Sequence, residues 1–360
     1  MPPHRLRRFA LLFCLFAAAG CAAGPWSTER PIELSNGYRM RLSSRSELMR
    51  RILRIDPESV TPEDVATLAQ GPAPWILPIA PAFPGPVMMK GFLDFLVEMG
   101  YPRERIGDPR SHNYNIYYTE SSKTIAGLIA WLYERDGLSP MIMGWSAGGI
   151  VAVAALHDLD RPDGLFPVKV VNGLTGEAED RTWITDPYTG QRRPIRGVQA
   201  SFAGVLASGG WGRVNQFLRW GTRPPLRSVP DSVREMVAFV APFDLLGTDF
   251  LLLGSANEFK AMGKAQVRTA LADPTYGHVN PIHCDSLSRD PEGRKWVEAY
   301  RPGASAGVLD YRFSGAFTLV DGKRNLWCGE FWHGVRKNWA IEAQRAVRAL
   351  LATHAGAPTP

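Results

Sequence analysis

From residue 46 onward the chain alternates short, wholly apolar runs with longer segments whose apolar positions recur at helical spacing. Residues 75–80 (WILPIA), 140–143 (PMIM), 168–171, 236–240 (MVAFV) and 267–272 have the length and composition of buried strands. Between them, Phe92, Phe95, Leu96 and Met99 share one face of a helix predicted over 88–99. Ile125, Leu128, Ile129 and Leu132 do the same over 121–135. Further helices are predicted over 46–55, 150–159, around 257–264, over 290–300 and over 335–354, and a strand near 316–320. Thr61-Pro62-Glu63-Asp64 reads as a helix start, with Thr as N-cap, Pro at the first position and acids in the first turn. Strands that are apolar throughout, each separated by a helix, predict an α/β fold with a mostly parallel central sheet and helices on both faces. From Gly176 to about Pro230 the periodicity breaks down in a Gly-, Pro- and Arg-rich stretch carrying Trp183, Phe202, Trp211, Phe217 and Trp220. So long an irregular segment is unusual, and it predicts an inserted cap over about 177–231.

The N-terminus has a different character. Arg5, Arg7 and Arg8 precede an apolar run from Phe9 to Ala19, too short for a typical membrane span and ending in small residues. This predicts a secretion signal over 1–20, a polar linker over 21–45 and a folded domain over 46–360. A buried N-terminal helix is the alternative. Ala18-Ala19-Gly20-Cys21 resembles the lipobox of bacterial lipoproteins, although Ala18 stands where Leu is usual. That resemblance implies a lipidated Cys21 and an exported protein anchored to a bacterial membrane facing the periplasm; plain secretion with cleavage nearby is the alternative.

Composition then narrows the picture. Hydrophobic residues make up 45% and charged residues 21% of the 360, which excludes wholesale disorder and a multi-span membrane protein. The net charge of +6 owes three charges to the signal arginines, and no basic-aromatic run points to nucleic acid. Of the four cysteines, Cys284 and Cys328 remain once Cys14 and Cys21 are set aside. In an oxidising compartment they either pair or stay as two buried thiols.

The most informative run is Gly144-Trp145-Ser146-Ala147-Gly148, a G-x-S-x-G between an apolar strand and an apolar helix. A strand can turn that sharply into a helix only where glycines allow close backbone approach. The turn presents the Ser146 hydroxyl at the helix N-terminus, beside the Ala147 N–H, where an oxyanion can be stabilised. An idle serine in a glycine turn is the plain alternative.

On this motif and on the order of its elements, residues 73–300 resemble the α/β-hydrolase family. The resemblance implies a serine nucleophile, an acid and a histidine, in that chain order. The acid is expected after a late strand, which makes it Asp244, with Asp249 as the alternative. The base is expected to be His278, 34 residues further on, or else His333 just before the final helix. A second oxyanion donor is expected from the turn Pro81-Ala82-Phe83-Pro84. Prolines have no N–H, so Phe83 is chosen, although the His-Gly often found there is missing. The implied activity is cleavage of a carboxylic ester or lipid-like substrate through an acyl-enzyme, with no cofactor. A thioesterase, an amidase, an acyltransferase and a non-catalytic envelope binding protein on the same scaffold stay open. A metal site at His278, His283, Cys284 and Asp285 is a weaker rival, because its spacing matches no helix-borne ligand pair.

Overall fold

The computed structural model describes residues 32–33, 39–40, 46–82, 89–161, 163, 167–208, 227–240, 244, 258–271, 278, 284–303 and 326–355. Five strands form one sheet: β1 (Ile76–Ile79), β2 (Met141–Trp145), β3 (Ala200–Leu206), β4 (Val233–Val240) and β5 (Gln266–Leu271). They lie side by side in chain order and every pairing is parallel. The register places Leu77 beside Ile142, Met143 beside Gly204, Gly204 beside Val237 and Val237 beside Arg268. Parallel neighbours need crossovers, and helices packed on both faces supply the burial that parallel sheets require.

The pleat sorts the strand residues into two cores. Leu77, Ile142, Ala203, Val205, Met236 and Ala238 face α4 (Ser122–Asp136) and α5 (Ala147–Asp160). Ile76, Met141, Met143, Trp145, Phe202, Leu206, Val237 and Phe239 belong to the opposite core. That core is closed by α1 (Ser46–Arg54), α2 (Pro62–Leu68), α3 (Met89–Glu98), α6 (Asp285–Arg289), α7 (Pro291–Ala299) and the 30-residue α8 (Leu326–Ala355). The α2 start is a full capping box: the Asp64 N–H donates to Thr61 Oγ1 at 3.2 Å, and the Thr61 N–H donates to Asp64 Oδ2 at 3.0 Å.

Charge as well as apolar contact joins α8 to the sheet. Glu342 is fully buried, is paired with Arg234 and Arg345, and accepts the Ser139 N–H at 2.8 Å. Glu235, near the start of β4, pairs with Arg268 at 2.9 Å and Lys337 at 3.3 Å. Burial pushes the Glu235 carboxyl up, but these two cations outweigh it and hold the group below its ordinary range. A disulfide joins Cys284, just before α6, to Cys328 in the first turn of α8, with Cα atoms 6.0 Å apart.

Four sequence expectations are corrected. Residues 168–171 are not a sheet strand; Val171 bridges only to Ala178. The strand beside β2 is β3, which lies inside the stretch predicted as a cap over 177–231. Its run ASFAGVL is rich in small residues and lacks the strongly apolar signature of its neighbours; at Gly204 the Phe331 ring of α8 leaves no room for a side chain, since a Cβ there would lie 2.2 Å from it. Residues 183–185 and 192–194 form a small antiparallel hairpin, and 209–226 lie outside the described residues. The helix predicted around 257–264 is replaced by a short extended pair, 260–261 beside 228–229. The last helix starts at Leu326, earlier than 335, because Trp327 and Phe331 are buried in its first turns against Phe239 and Phe202 of the sheet. The expected strand near 316–320, the signal over 1–20 and most of the linker over 21–45 lie outside the described residues. Within that linker, 32–33 pair with 39–40 in a two-residue antiparallel ladder. Among the described residues no helix is long and apolar enough to cross a membrane.

Candidate active site

Ser146 sits where β2 ends and α5 begins. Its backbone is at φ 53° and ψ −121°, a region that costs a non-glycine residue about 1–3 kcal/mol. The fold holds it there. The Ser146 N–H donates to the Leu206 carbonyl at the end of β3, at 2.8 Å, and the Ser146 carbonyl accepts the Gly149 N–H at 3.0 Å. The flanking glycines have a direct steric reason. A Cβ on Gly144 would lie 2.5 Å from the Gly148 carbonyl oxygen, and one on Gly148 would lie 2.3 Å from the Ile79 carbonyl oxygen. Gly148 therefore lets the first turn of α5 press against the end of β1.

Two other strand ends complete the site. Asp244 follows β4 and His278 follows β5. His278 Nε2 lies 2.9 Å from Ser146 Oγ, and His278 Nδ1 lies 2.6 Å from Asp244 Oδ2. The Asp244 side chain is 1% exposed and that of His278 11%. A carboxylate can only accept, so Nδ1 carries the ring proton and donates to Asp244. Nε2 is then the acceptor for the Ser146 hydroxyl. All three side chains come from the carboxyl ends of parallel strands, the edge where open α/β sheets gather ligand-binding groups.

Sequence reasoning missed one further residue of the site. Trp145, inside the motif and 1% exposed, donates its indole N–H to the His278 backbone carbonyl at 3.2 Å. Its ring lies 6.1 Å from the imidazole, tilted by 36°. Trp145 is thus bonded covalently to the serine and by hydrogen bond to the histidine. Nothing in the local sequence separates this role from that of an ordinary core aromatic.

The other expected residues fall as follows. Ala147 is the first residue of α5, where backbone N–H groups have no helical acceptor. His333 lies in α8, outside the row. Burial, then Arg336, push its imidazole down to about 3, and its other charged neighbours are Glu235, Arg268 and Lys337. Its Nδ1 is buried without a partner among the described residues. His278 therefore takes the place beside Ser146 for which His333 was the alternative. Asp249, Phe83, Cys21 and His283 lie outside the described residues. The Cys284 sulfur is bonded to Cys328, so it is not a thiolate for a metal. Among the described residues no three His, Cys, Asp or Glu side chains converge as metal ligands.

No family model, curated protein or solved structure matches this chain. The geometry joins a strained serine, an imidazole and a buried carboxylate in a single hydrogen-bonded row.

Proposed function

We propose that this protein is a serine hydrolase of the α/β-hydrolase type that cleaves a carboxylic ester through an acyl-enzyme on Ser146. The observation that carries the proposal is the row Ser146–His278–Asp244, drawn from three strand ends of one parallel sheet. A packed core has no need of an imidazole that bridges a serine to a buried carboxylate. In the proposed reaction His278 Nε2 takes the proton from Ser146 Oγ as the oxygen attacks the ester carbonyl. Asp244 holds the ring tautomer and stabilises the imidazolium. The Ala147 N–H, with a second donor from the turn at Phe83, bears the oxyanion; one such donor is worth about 3–4 kcal/mol in comparable sites. The ester C–O bond then breaks, His278 protonates the leaving alkoxide, and water attacks the acyl-enzyme along the same proton path. A thioester enters the same sequence with a thiolate leaving group, and an alcohol in place of water makes it an acyl transfer.

The α/β-hydrolase assignment is supported by the parallel sheet and by the order nucleophile, acid, base along the chain. Export, with a lipid anchor on Cys21, is part of the same proposal. It is supported by the basic-then-apolar N-terminus and by the Cys284–Cys328 bond, since disulfides persist in oxidising compartments.

The test is labelling of Ser146 by a fluorophosphonate, together with turnover of p-nitrophenyl esters and thioesters of graded chain length. Ser146→Ala and His278→Ala should each remove nearly all turnover, with the double variant little worse than either, because such residues act as a unit. His333→Ala should retain most activity. A folded protein whose Ser146 does not label, and which turns over no ester or thioester, would refute the proposal and leave a non-catalytic binding scaffold.

A further inference from the structure

A second site lies among α2, α7 and α8, none of which supplies a member of the Ser146 row. A cavity of about 150 Å³ opens there, walled by Val65, Met99 and Trp332, with Ala66 and Ala69 at its exposed lip. Its remaining lining includes Arg294, Glu298 and Arg336. An apolar cavity of this volume holds a molecule the size of benzene.

Arg336 is the anomaly. It is 2% exposed, and among the described residues no carboxylate is paired with it. Its Nη1 donates to the Glu298 carbonyl at 2.8 Å and its Nη2 to the Tyr300 carbonyl at 3.1 Å. Its Nε is buried with no partner among the described residues. The Glu298 carboxylate is engaged elsewhere, accepting from Arg294 Nε at 3.0 Å. Three other part-buried arginines are each held by two acids: Arg268 by Glu235 and Glu330, Arg110 by Asp108 and Glu120, Arg181 by Glu134 and Glu179; Arg105, Arg193, Arg234 and Arg345 are each paired with one. Buried charges are ordinarily paired, because desolvation without a counter-charge is costly. Burial, then the nearby Arg301, push the Arg336 guanidinium down to about 10, so at neutral pH it still carries its charge.

Capping the carboxyl end of α7 accounts for the two Nη contacts. It does not account for the rest. Arg301 Nη1 donates to the same two carbonyls, at 3.2 and 2.8 Å, so a second cation already serves that helix end. Nor does capping explain an unpartnered Nε in a side chain that lines an apolar space. A cation without a counter-ion, on a benzene-sized apolar cavity with an open lip, has the chemistry of a receptor for an amphipathic anion.

We propose that this cavity binds a small organic monocarboxylate of about the size of benzoate. The carboxylate accepts from Arg336, and the apolar body rests on Val65, Met99 and Trp332. This inference goes beyond the proposed hydrolase and does not depend on it.

The experiment uses the full folded chain, with benzoate as the probe, followed by calorimetry and by the shift in Tm. Benzyl alcohol serves as the uncharged match and sulfate as an anion without an apolar body. Benzoate should bind at one site and raise Tm, while benzyl alcohol and sulfate should do neither at the same concentrations. Arg336→Met should weaken benzoate by about tenfold or more, the scale of a lost charge-assisted hydrogen bond. Ala66→Trp, on the exposed lip, should block the cavity without touching Arg336 and weaken binding likewise. It decides the matter if Arg336→Met fails to fold. Absence of benzoate binding overturns the proposal, as does equal binding of benzyl alcohol or sulfate. Benzoate binding unchanged in both variants would place the carboxylate elsewhere, such as at Ser146, and overturn it as well.

Discussion

Trp145→Phe is the sharpest probe of how the proposed site is held, and it rests on the hydrolase proposal. The substitution keeps an aromatic ring on the buried side of β2 and removes the indole N–H that the His278 carbonyl accepts at 3.2 Å. A neutral hydrogen bond of this kind contributes about 0.5–1.5 kcal/mol net. If that energy serves to hold His278 against Ser146, its loss lowers the rate by about 2- to 13-fold. The loss should fall on kcat and on the rate of Ser146 labelling by a fluorophosphonate, with KM nearly unchanged, because Trp145 is 1% exposed and meets no substrate. The smaller ring also leaves space behind, so Tm should fall modestly. Parallel measurement of kcat, KM, labelling rate and Tm separates the two effects. A lower Tm with unchanged kcat and labelling would show that Trp145 only packs, and would refute the positioning argument. A wild-type protein that never labels would instead refute the hydrolase proposal.

Three further outcomes concern stability. Replacing Cys284 and Cys328 together by serine removes a crosslink between residues 44 apart, which the chain-entropy relation values at about 4 kcal/mol. Urea unfolding should show a loss of that order, and a loss below about 1 kcal/mol would mean that the linked segments are held by other contacts. Glu342→Ala leaves Arg234, Arg345 and the Ser139 N–H facing a buried void, and should cost about 3–5 kcal/mol in the same assay; a change within experimental error would remove Glu342 from the account of how α8 is held. For His333 the folded value of about 3 lies below the ordinary 6.5, so the unfolded chain takes up the proton first as the pH falls. Its contribution is complete above pH 6.5 and is lost on acidification toward pH 3, with a slope of up to about 1.4 kcal/mol per pH unit. His333→Gln should flatten the dependence of unfolding free energy on pH across that window, and an unchanged slope would show that His333 does not cause it.

The features legible in the sequence were those written by neighbours within a few residues. The capping box at Thr61 and Asp64, the helical faces of α3 and α4, and the strand–Gly-x-Ser-x-Gly–helix unit are short-range events, and local periodicity and sterics are enough to specify them. From those units the α/β class with a mostly parallel sheet also follows, because apolar strands alternating with helices have few other ways to bury both faces. What distance in the chain separates, only the tertiary structure decided. Whether Asp244 or Asp249, and His278 or His333, comes near Ser146 depends on which strands pair and where each one ends. The sequence had put forward Asp244 and His278, but spacing alone left each with its alternative. The pairing of Cys284 with Cys328 needed α8 to dock beside α6, which no cysteine count reports. β3 was hidden because its run mixes alanine, serine and glycine with valine and leucine, and the reason for its glycine, the Phe331 ring pressed against it, lies over a hundred residues away. The Trp145 contact and the unpaired charge of Arg336 belong to the same class. Each is a relation between segments that the folded chain brings together, and neither leaves a periodicity to read.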